Sequence, residues 1–487
     1  MIISFKTLGC KVNQYETEVL KEQFQKAGHT VTGDEEYADV YIINTCTVTG
    51  LADRKSRQYV RRMKRINPDA LIAVTGCYAQ ISPQEVAAIE GVNLVVGTNE
   101  KLKLAEYVEK YMADTAKKPE KDAEEGIYVP DYEELTDYVE TGIITSMESR
   151  TRAYIKIQEG CNRFCSYCVI PYARGKVRSR DPQSILAEAK QLISNGFREI
   201  ILTGINTALY GTEKDFTNTL DDAEASKESD VRGVELIIRA IDAIPGDFRI
   251  RLSSLEPTVV NAEYVKRLFA YPKLCHHLHL SVQSGSDEIL RSMNRNYDRK
   301  EYLDIVAELK KFDPLYGITT DIIAGFPGET EENFSDSLKI IDETGFCRVH
   351  PFKYSNRPGT RATAMENQVK PAVKKERMEK LSAAGEKSAR LFYEKNRGTT
   401  ARVLFEEFEQ LRDEERRKVC GLDDTGGGTS RFGEGGSFSK EGLLSGYTDN
   451  YIKVYLPCNA DEAAEIQKNF ADVKLCGDYK EGMLCSL

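Results

Sequence analysis

Three cysteines fall within the eight residues "CNRFCSYC", 161 to 168: Cys161, Cys165 and Cys168, spaced Cys-x3-Cys-x2-Cys. Thiolates clustered this closely suit a soft metal. A structural zinc ion asks for four tetrahedral ligands, and no fourth Cys or His lies nearby in sequence. A [4Fe-4S] cluster has four irons that each need a ligand, so three thiolates leave one iron open. An open iron can bind a small molecule and pass it an electron. Zinc and buried core cysteines remain the alternative readings.

A second trio is dispersed. Cys10 follows "FKTLG", Cys46 follows "VYIINT" and Cys77 follows "LIAVTG". Each sits just past the end of an apolar run that reads as a buried strand. In an open α/β sheet that edge is where ligands gather, so three loops far apart in sequence would meet there. The alternative is three small buried residues, common for free Cys. Cys275, Cys347, Cys420, Cys458, Cys476 and Cys485 show no such placement and read as structural.

The elements that must position these thiols follow from alternation. Residues 1–115 run strand, helix, strand: "IISFK", "DVYIIN", "LIAVTG" and "NLVVG" separated by helix-length stretches, a doubly wound α/β domain. Residues 116–146 read as an acidic linker. Its first 25 residues, "AKKPEKDAEEGIYVPDYEELTDYVE", hold nine acids, three bases and two prolines, and predict little regular structure. From 147 to 396, six strand candidates alternate with helices: "AYIKIQ", "EIILTG", "FRIRLSS", "HHLHLSV", "GITTDIIAG" and "CRVHPF". They predict a partial (βα)6 barrel, interrupted by a polar insert near 212–232 and closed by a long charged helix over about 371–396. Residues 397–487 contain the short strands "TARVLFEE", "GLLSGYT" and "YIKVYLP", consistent with a small β-barrel, with a Gly/Ser-rich insert within 408–440.

In this frame Cys161, Cys165 and Cys168 lie on the loop after the first barrel strand, on the rim where barrel active sites are built. The other strand ends supply weaker candidates. Gly204 and Asn206 lie in "LTGIN", and a second glycine-containing strand end is "GFPGET"; both read equally as tight turns where Gly supplies positive φ. Ser254 and Glu256 end the third strand in "LSSLEP", and Gln283 ends the fourth. His277 and His279 alternate on one face of that strand, suiting a histidine metal site or a polar lumen.

The chain has 487 residues, about three domains' worth, with 41% hydrophobic and 30% charged residues. No apolar run reaches the ~18 residues that span a bilayer, and the N-terminus has no signal-peptide pattern. The reading is a cytoplasmic protein without a membrane partner. Twelve cysteines in a reducing compartment favour metal or redox chemistry over a disulfide framework. The formal net charge of −10 does not announce nucleic-acid binding, but charge distribution decides more than the sum. "RKSRQYVRRMKR", 54 to 65, has seven bases and no acid on a helix pattern, an RNA-binding face or an ordinary solvated one. Tyr447 and Tyr451 in the terminal barrel suit base stacking or packing.

Together the three-cysteine barrel, the α/β domain with its own trio and the terminal small barrel resemble the radical S-adenosylmethionine methylthiotransferase family. The likeness covers nearly the whole chain. "TLGCKVNQYETE" is similar to the branch acting on N6-threonylcarbamoyladenosine beside the tRNA anticodon. The isopentenyladenosine branch more often has Gln-Met-Asn where this chain has Lys11-Val12-Asn13. "KYSNRPGTRA", 353 to 362, also fits the family, and the last domain resembles an RNA-binding TRAM module. The resemblance implies two [4Fe-4S] clusters, on Cys161/Cys165/Cys168 and on Cys10/Cys46/Cys77. It implies S-adenosylmethionine on the open iron of the first, with Tyr167 at a position that contacts adenine in that superfamily. It places Gly204, Asn206, Ser254, Glu256 and Gln283 toward the cofactor. It further implies a radical that abstracts hydrogen from C2 of adenine, sulfur delivered at the second cluster, and methyl from a second S-adenosylmethionine. A flavodoxin- or ferredoxin-type electron donor and a sulfur source are implied partners. Other expectations of this family are isopentenyladenosine in tRNA or a ribosomal-protein aspartate as substrate. A non-catalytic iron–sulfur RNA-binding protein is the reading outside it.

Overall fold

The computed structural model describes residues 1–47, 50–115, 126–140, 142, 151–220, 231–412 and 441–487. The first domain is a six-stranded parallel sheet of β1 (Ile2–Thr7), β2 (Thr30–Thr32), β3 (Val40–Thr45), β4 (Leu71–Gly76), β5 (Leu94–Val96) and β6 (Ile127–Tyr128). Its order is β2-β1-β3-β4-β5-β6. All six residues of β3 are buried because both faces are covered. Tyr41 and Ile43 pack with Tyr59, Val60 and Met63 of the helix Gly50–Ile66. Val40 and Ile42 face the opposite way, onto Leu20 and Phe24 of the helix Lys11–Lys26. The chain reverses its direction of travel between β1 and β3, the switch point where α/β sheets open a ligand crevice.

The reading of 116–146 as an unstructured linker needs correcting in part. Residues 116–125, 141 and 143–146 lie outside the described residues. Ile127–Tyr128 pairs with β5 and extends the first sheet. The carbonyl of Pro130 accepts from Gln80 at 2.6 Å, and Tyr138 donates to the Lys156 carbonyl at 3.1 Å, so this stretch is stitched to both neighbouring domains.

The second domain contains β7 (Arg152–Glu159), β8 (Arg178–Ser179), β9 (Glu199–Gly204), β10 (Arg249–Leu252), β11 (Ser254–Leu255), β12 (His277–Leu280), β13 (Gly317–Ala324) and β14 (Arg348–Lys353). Parallel pairing runs β7-β9-β10 and β11-β12-β13-β14. The expected third strand is split at Ser253 into β10 and β11, which carry the sheet from one half to the other. This is a six-unit partial barrel, with β8 pairing antiparallel on the outer edge of β7. Ile155, Ile157, Ile200, Leu202 and Ile250 form its main core with Ile185, Leu186, Ile237 and Ile241 of the covering helices.

The helix Pro371–Asn396 leads into a closed five-stranded barrel: β15 (Thr400–Gln410), β16 (Gly442–Thr448), β17 (Lys453–Cys458), β18 (Phe470–Tyr479) and β19 (Gly482–Ser486), ordered β15-β16-β17-β19-β18. The turn between β16 and β17 docks on the amino-terminal rim of the partial barrel. The Thr448 and Asp449 carbonyls accept from Arg251 at 3.1 and 3.0 Å, and Asn450 donates to the Leu315 carbonyl at 2.9 Å. Among the described residues no helix is long and apolar enough to cross a membrane.

Candidate active site

β7 ends at Gly160, whose φ of +72° turns the chain into the cysteine loop. Cys161 N–H donates to the Gly175 carbonyl at 3.0 Å, and Ser166 N–H to that of Met293 at 3.0 Å, fixing the loop at both ends. All three thiols are free of disulfides. Burial pushes Cys161 up to about 11 and Cys168 up to about 12, and the neighbouring thiols of the trio add to both. Burial raises Cys165 as well, against the pull of Arg295. Without a metal these groups are neutral thiols at pH 7; a cation would displace their protons.

Glu256 organises the floor beside this loop. Its buried carboxylate accepts from Arg163 at 2.9 Å, Arg295 at 3.2 Å, Asn206 at 2.6 Å and Thr258 at 2.9 Å. Arg295 also donates to the Tyr167 hydroxyl at 2.7 Å. The Tyr167 ring packs on Phe326, so it serves as packing and as a polar contact together. Among the described residues, Asn206 Oδ1 and Arg295 Nε are buried without a partner. One free acceptor and one free donor beside a thiol trio are complementary to the ammonium and carboxylate of a zwitterionic ligand. Gly204 approaches Gln158, whose Oε1 would lie 3.0 Å from an added Cβ. Its role is close packing rather than the positive φ expected for a tight turn. The Ser254 side chain is exposed, and its carbonyl accepts from Thr207 at 2.8 Å. Gln283 is buried with a φ of +64°, and its backbone bridges to β13.

The second trio converges at the switch-point edge of the first sheet. A Cβ on Gly9 would stand 2.6 Å from Cys46 Cβ and 3.0 Å from its sulfur, so only glycine lets the Cys10 loop lie against Cys46. Asn13, fully buried, donates from Nδ2 to the carbonyls of Leu8 at 2.8 Å and Thr45 at 2.9 Å, tying the first two cysteine loops together. Cys10 is itself exposed, yet desolvation by the protein packed around it raises its thiol; Arg174 opposes that shift and Cys77 adds to it.

Arg174 reaches the second trio from the segment that follows the first. It ends the short helix Ile170–Arg174, which begins two residues after Cys168. Its guanidinium is fully buried and donates from Nε to Cys77 Sγ at 3.2 Å and from Nη2 to Asn13 Oδ1 at 2.6 Å. Nη1 pairs with Glu16 and Glu159, which also hold Lys101 and Lys156. Among the described residues no three of His, Cys, Asp or Glu converge closely enough to hold one metal ion. A cube of four irons makes no such demand, because each thiolate binds a different iron.

Residues 2–97 match the family model described as uncharacterized protein family UPF0004, and residues 155–341 match the Radical SAM superfamily. The chain is 39% identical over 467 residues to the threonylcarbamoyladenosine tRNA methylthiotransferase MtaB of Bacillus subtilis, spanning 96% of this chain and 92% of that protein. The chain belongs to the radical S-adenosylmethionine methylthiotransferase family. The MtaB of Aquifex aeolicus is 39% identical across 84% of this chain and 94% of its own. The tRNA-2-methylthio-N(6)-dimethylallyladenosine synthase of Alkaliphilus oremlandii is 37% identical across 77% and 76%. Among solved structures, the radical S-adenosylmethionine methyltransferase TsrM from Kitasatospora setae has a similar fold, with a TM-score of 0.53, 15% identity and 74% and 77% coverage.

As a member of this family the protein is an enzyme whose cofactors are [4Fe-4S] clusters and S-adenosylmethionine. Several of its charged site residues escape a reading of sequence. Arg163 sits between the first two cysteines, the one local signal that was available. Arg174 and Arg295 carry none, since the cysteine and carboxylate they hold lie far along the chain; Asn13, uncharged, stood in the sequence only within Lys11-Val12-Asn13. The barrel histidines line a polar lumen: His277 and His279 share Thr319, and His279 also reaches Ser281 and Asp321 at 2.9 and 3.1 Å. Tyr451 stacks on His277 at 4.3 Å and on Tyr447, which lies under Arg152. Both tyrosines serve domain docking, which overturns base stacking for them.

Proposed function

We propose that this enzyme transfers a methylthio group to C2 of N6-threonylcarbamoyladenosine next to the anticodon of tRNA. Cys161, Cys165 and Cys168 would hold one [4Fe-4S] cluster, and Cys10, Cys46 and Cys77 a second. The observation that carries this reading is a buried arginine that donates to Cys77 of one trio from the helix starting two residues after Cys168 of the other, in a chain so similar to the Bacillus subtilis enzyme. The donor sets fit: free thiols, three per site, on separate loops. The identity spans more of this chain for that relative than for the dimethylallyladenosine synthase, which favours the threonylcarbamoyl substrate.

When bound, the clusters and S-adenosylmethionine supply one-electron chemistry and sulfur, which activate a C–H bond that is not acidic. The chain itself positions. Asn206 Oδ1 would accept from the cofactor's ammonium and Arg295 would donate to its carboxylate, with Glu256 holding both side chains in place. Tyr167, Gly204, Ser254 and Gln283 complete the proposed cofactor side. Asn13 holds the loops of the second trio, and the docked turn of the terminal barrel covers the amino-terminal end of the lumen. A flavodoxin- or ferredoxin-type donor and a sulfur source are the proposed partners, beside tRNA.

Two measurements test this. Mass spectrometry of tRNA nucleosides from cells with and without the gene should show loss of the 2-methylthio derivative of N6-threonylcarbamoyladenosine. Loss of the isopentenyl derivative, or of a modified ribosomal-protein aspartate, would reassign the substrate. Anaerobically reconstituted protein should contain about eight irons, and replacing Cys161, Cys165 and Cys168 together should remove about half.

A further inference from the structure

The Arg174 guanidinium is engaged on every side, yet the charges around it do not balance. Arg174, Lys101, Lys156 and Arg178 are four basic side chains, and Glu16 and Glu159 are two carboxylates, all buried. A desolvated cation left uncompensated costs several kcal/mol. The one group on Arg174 that is not an oxygen is Cys77 Sγ, at 3.2 Å from Nε. Thiolates ligating a cluster at the second trio would supply negative charge to this network.

We propose that Arg174 is a positioning residue coupled to the second trio through Cys77, setting the reduction potential of a cluster held by Cys10, Cys46 and Cys77. This rests on the ligand role proposed for those cysteines. The sign follows from electrostatics. Reduction adds an electron, and an N–H donor and a cation at a ligand sulfur favour the more negative state. Arg174 therefore raises the potential. Glu16, on the far side of the guanidinium, offsets part of that charge and lowers it. Arg174 belongs to the segment that carries Cys168, and its Nη2 holds Asn13, which ties the Cys10 and Cys46 loops.

The test is a redox titration, followed by electron paramagnetic resonance, of the reconstituted full chain with Cys161, Cys165 and Cys168 replaced by alanine, so that one cluster remains. Arg174→Gln should move its potential downward by a tenfold or larger change in the reduced-to-oxidised ratio, about 59 mV for one electron. Arg174→Lys should fall between, keeping the charge but not the fork. Glu16→Gln should move it upward. Shifts absent from both Arg174→Gln and Glu16→Gln, or equal in sign, with iron retained, overturn the coupling and leave the ligand assignment standing. If Arg174→Gln cannot hold iron, the upward shift in Glu16→Gln decides alone. A parent chain that binds no cluster overturns the ligand assignment, and the coupling with it.

Discussion

Glu256 concentrates more site chemistry than any cysteine, and nothing local in "LSSLEP" reveals how. It binds two guanidiniums and one amide at once, from residues 93, 39 and 50 positions away. Breaking such a buried arrangement costs about 3–5 kcal/mol locally. Glu256→Gln keeps the shape and removes the charge, so Arg295 and Asn206 should lose their orientation. We expect S-adenosylmethionine affinity to fall by about tenfold or more, roughly 1.4 kcal/mol, with the iron content unchanged. Equilibrium dialysis with reconstituted protein measures both, and an unaltered affinity would refute the role. The cysteines themselves were legible for a simple reason. Cys161, Cys165 and Cys168 are linked by spacing, and Cys10, Cys46 and Cys77 by equivalent placement after parallel strands. Arg174 is linked to Cys77 across 97 residues and to Asn13 across 161, through a contact between domains. Periodicity and spacing carry no trace of such a contact.

The strands β1, β3, β4 and β5 and most barrel strands were readable because apolar runs alternating with helix patterns fit a covered parallel sheet, although β14 has no buried residue. β2 and β6 were not, being three and two residues long and formed by pairing on existing edges. β18 and β19 were missed as well: a polar-rich alternation such as "FADVKLCGDY" becomes a strand by closing a barrel, not by its own hydrophobicity. The reading of "LTGIN" as a positive-φ turn failed because Gly204 answers to the neighbouring Gln158 instead. Gly160 does follow the conformational rule, at the point where β7 must turn into the cysteine loop. An added Cβ there would lie 1.7 Å from the Lys176 carbonyl oxygen, at a φ of +72°. Gly160→Ala should displace the whole Cys161–Cys168 loop and remove about half the iron. Gly196→Ala has a φ of +90° but nothing within 4 Å, so it should cost only about 1–2 kcal/mol of stability and no iron. Iron assay and thermal melts of the two variants separate a loop effect from general backbone strain.

At the scale of the molecule, the first domain and the barrel are joined by a charged interface, which makes their union sensitive to acid. Burial alone would raise Glu159, but Arg174 and Lys156 outweigh it and hold its carboxyl at about 2, below the ordinary 4.5. Between those values the unfolded chain binds the proton and the folded chain does not. Its contribution is therefore complete above about pH 4.5 and lost as pH falls toward 2. Melting temperature should decline through that window, and Glu159→Gln should flatten the decline; a parallel decline in both would discount the interface. The same domain carries the basic helix Gly50–Ile66, which starts shortly after Cys46. Tyr59, Val60 and Met63 are its buried side, while Arg54, Lys55, Arg61, Arg62 and Arg65 are exposed. Arg62 pairs with Glu35 and Arg57 with Glu85, so the cations available to a phosphate backbone narrow to Arg54, Lys55, Arg61 and Arg65 among the described residues. The terminal barrel docks through its β16–β17 turn on the rim opposite Cys161. The helix near the cysteines should then carry the grip. Each phosphate it neutralises lowers the slope of log affinity against log salt by about 0.7–0.9. Changing Arg61 and Arg65 to Glu should weaken tRNA binding by roughly 1 kcal/mol or more and reduce the salt slope by about 1–2. Both iron content and cofactor cleavage without tRNA should stay at wild-type levels, because no cysteine or Glu256 partner lies on that face. Filter binding at several salt concentrations decides it: an unchanged affinity and slope would make this helix a solvated face and move the search for the tRNA contact elsewhere.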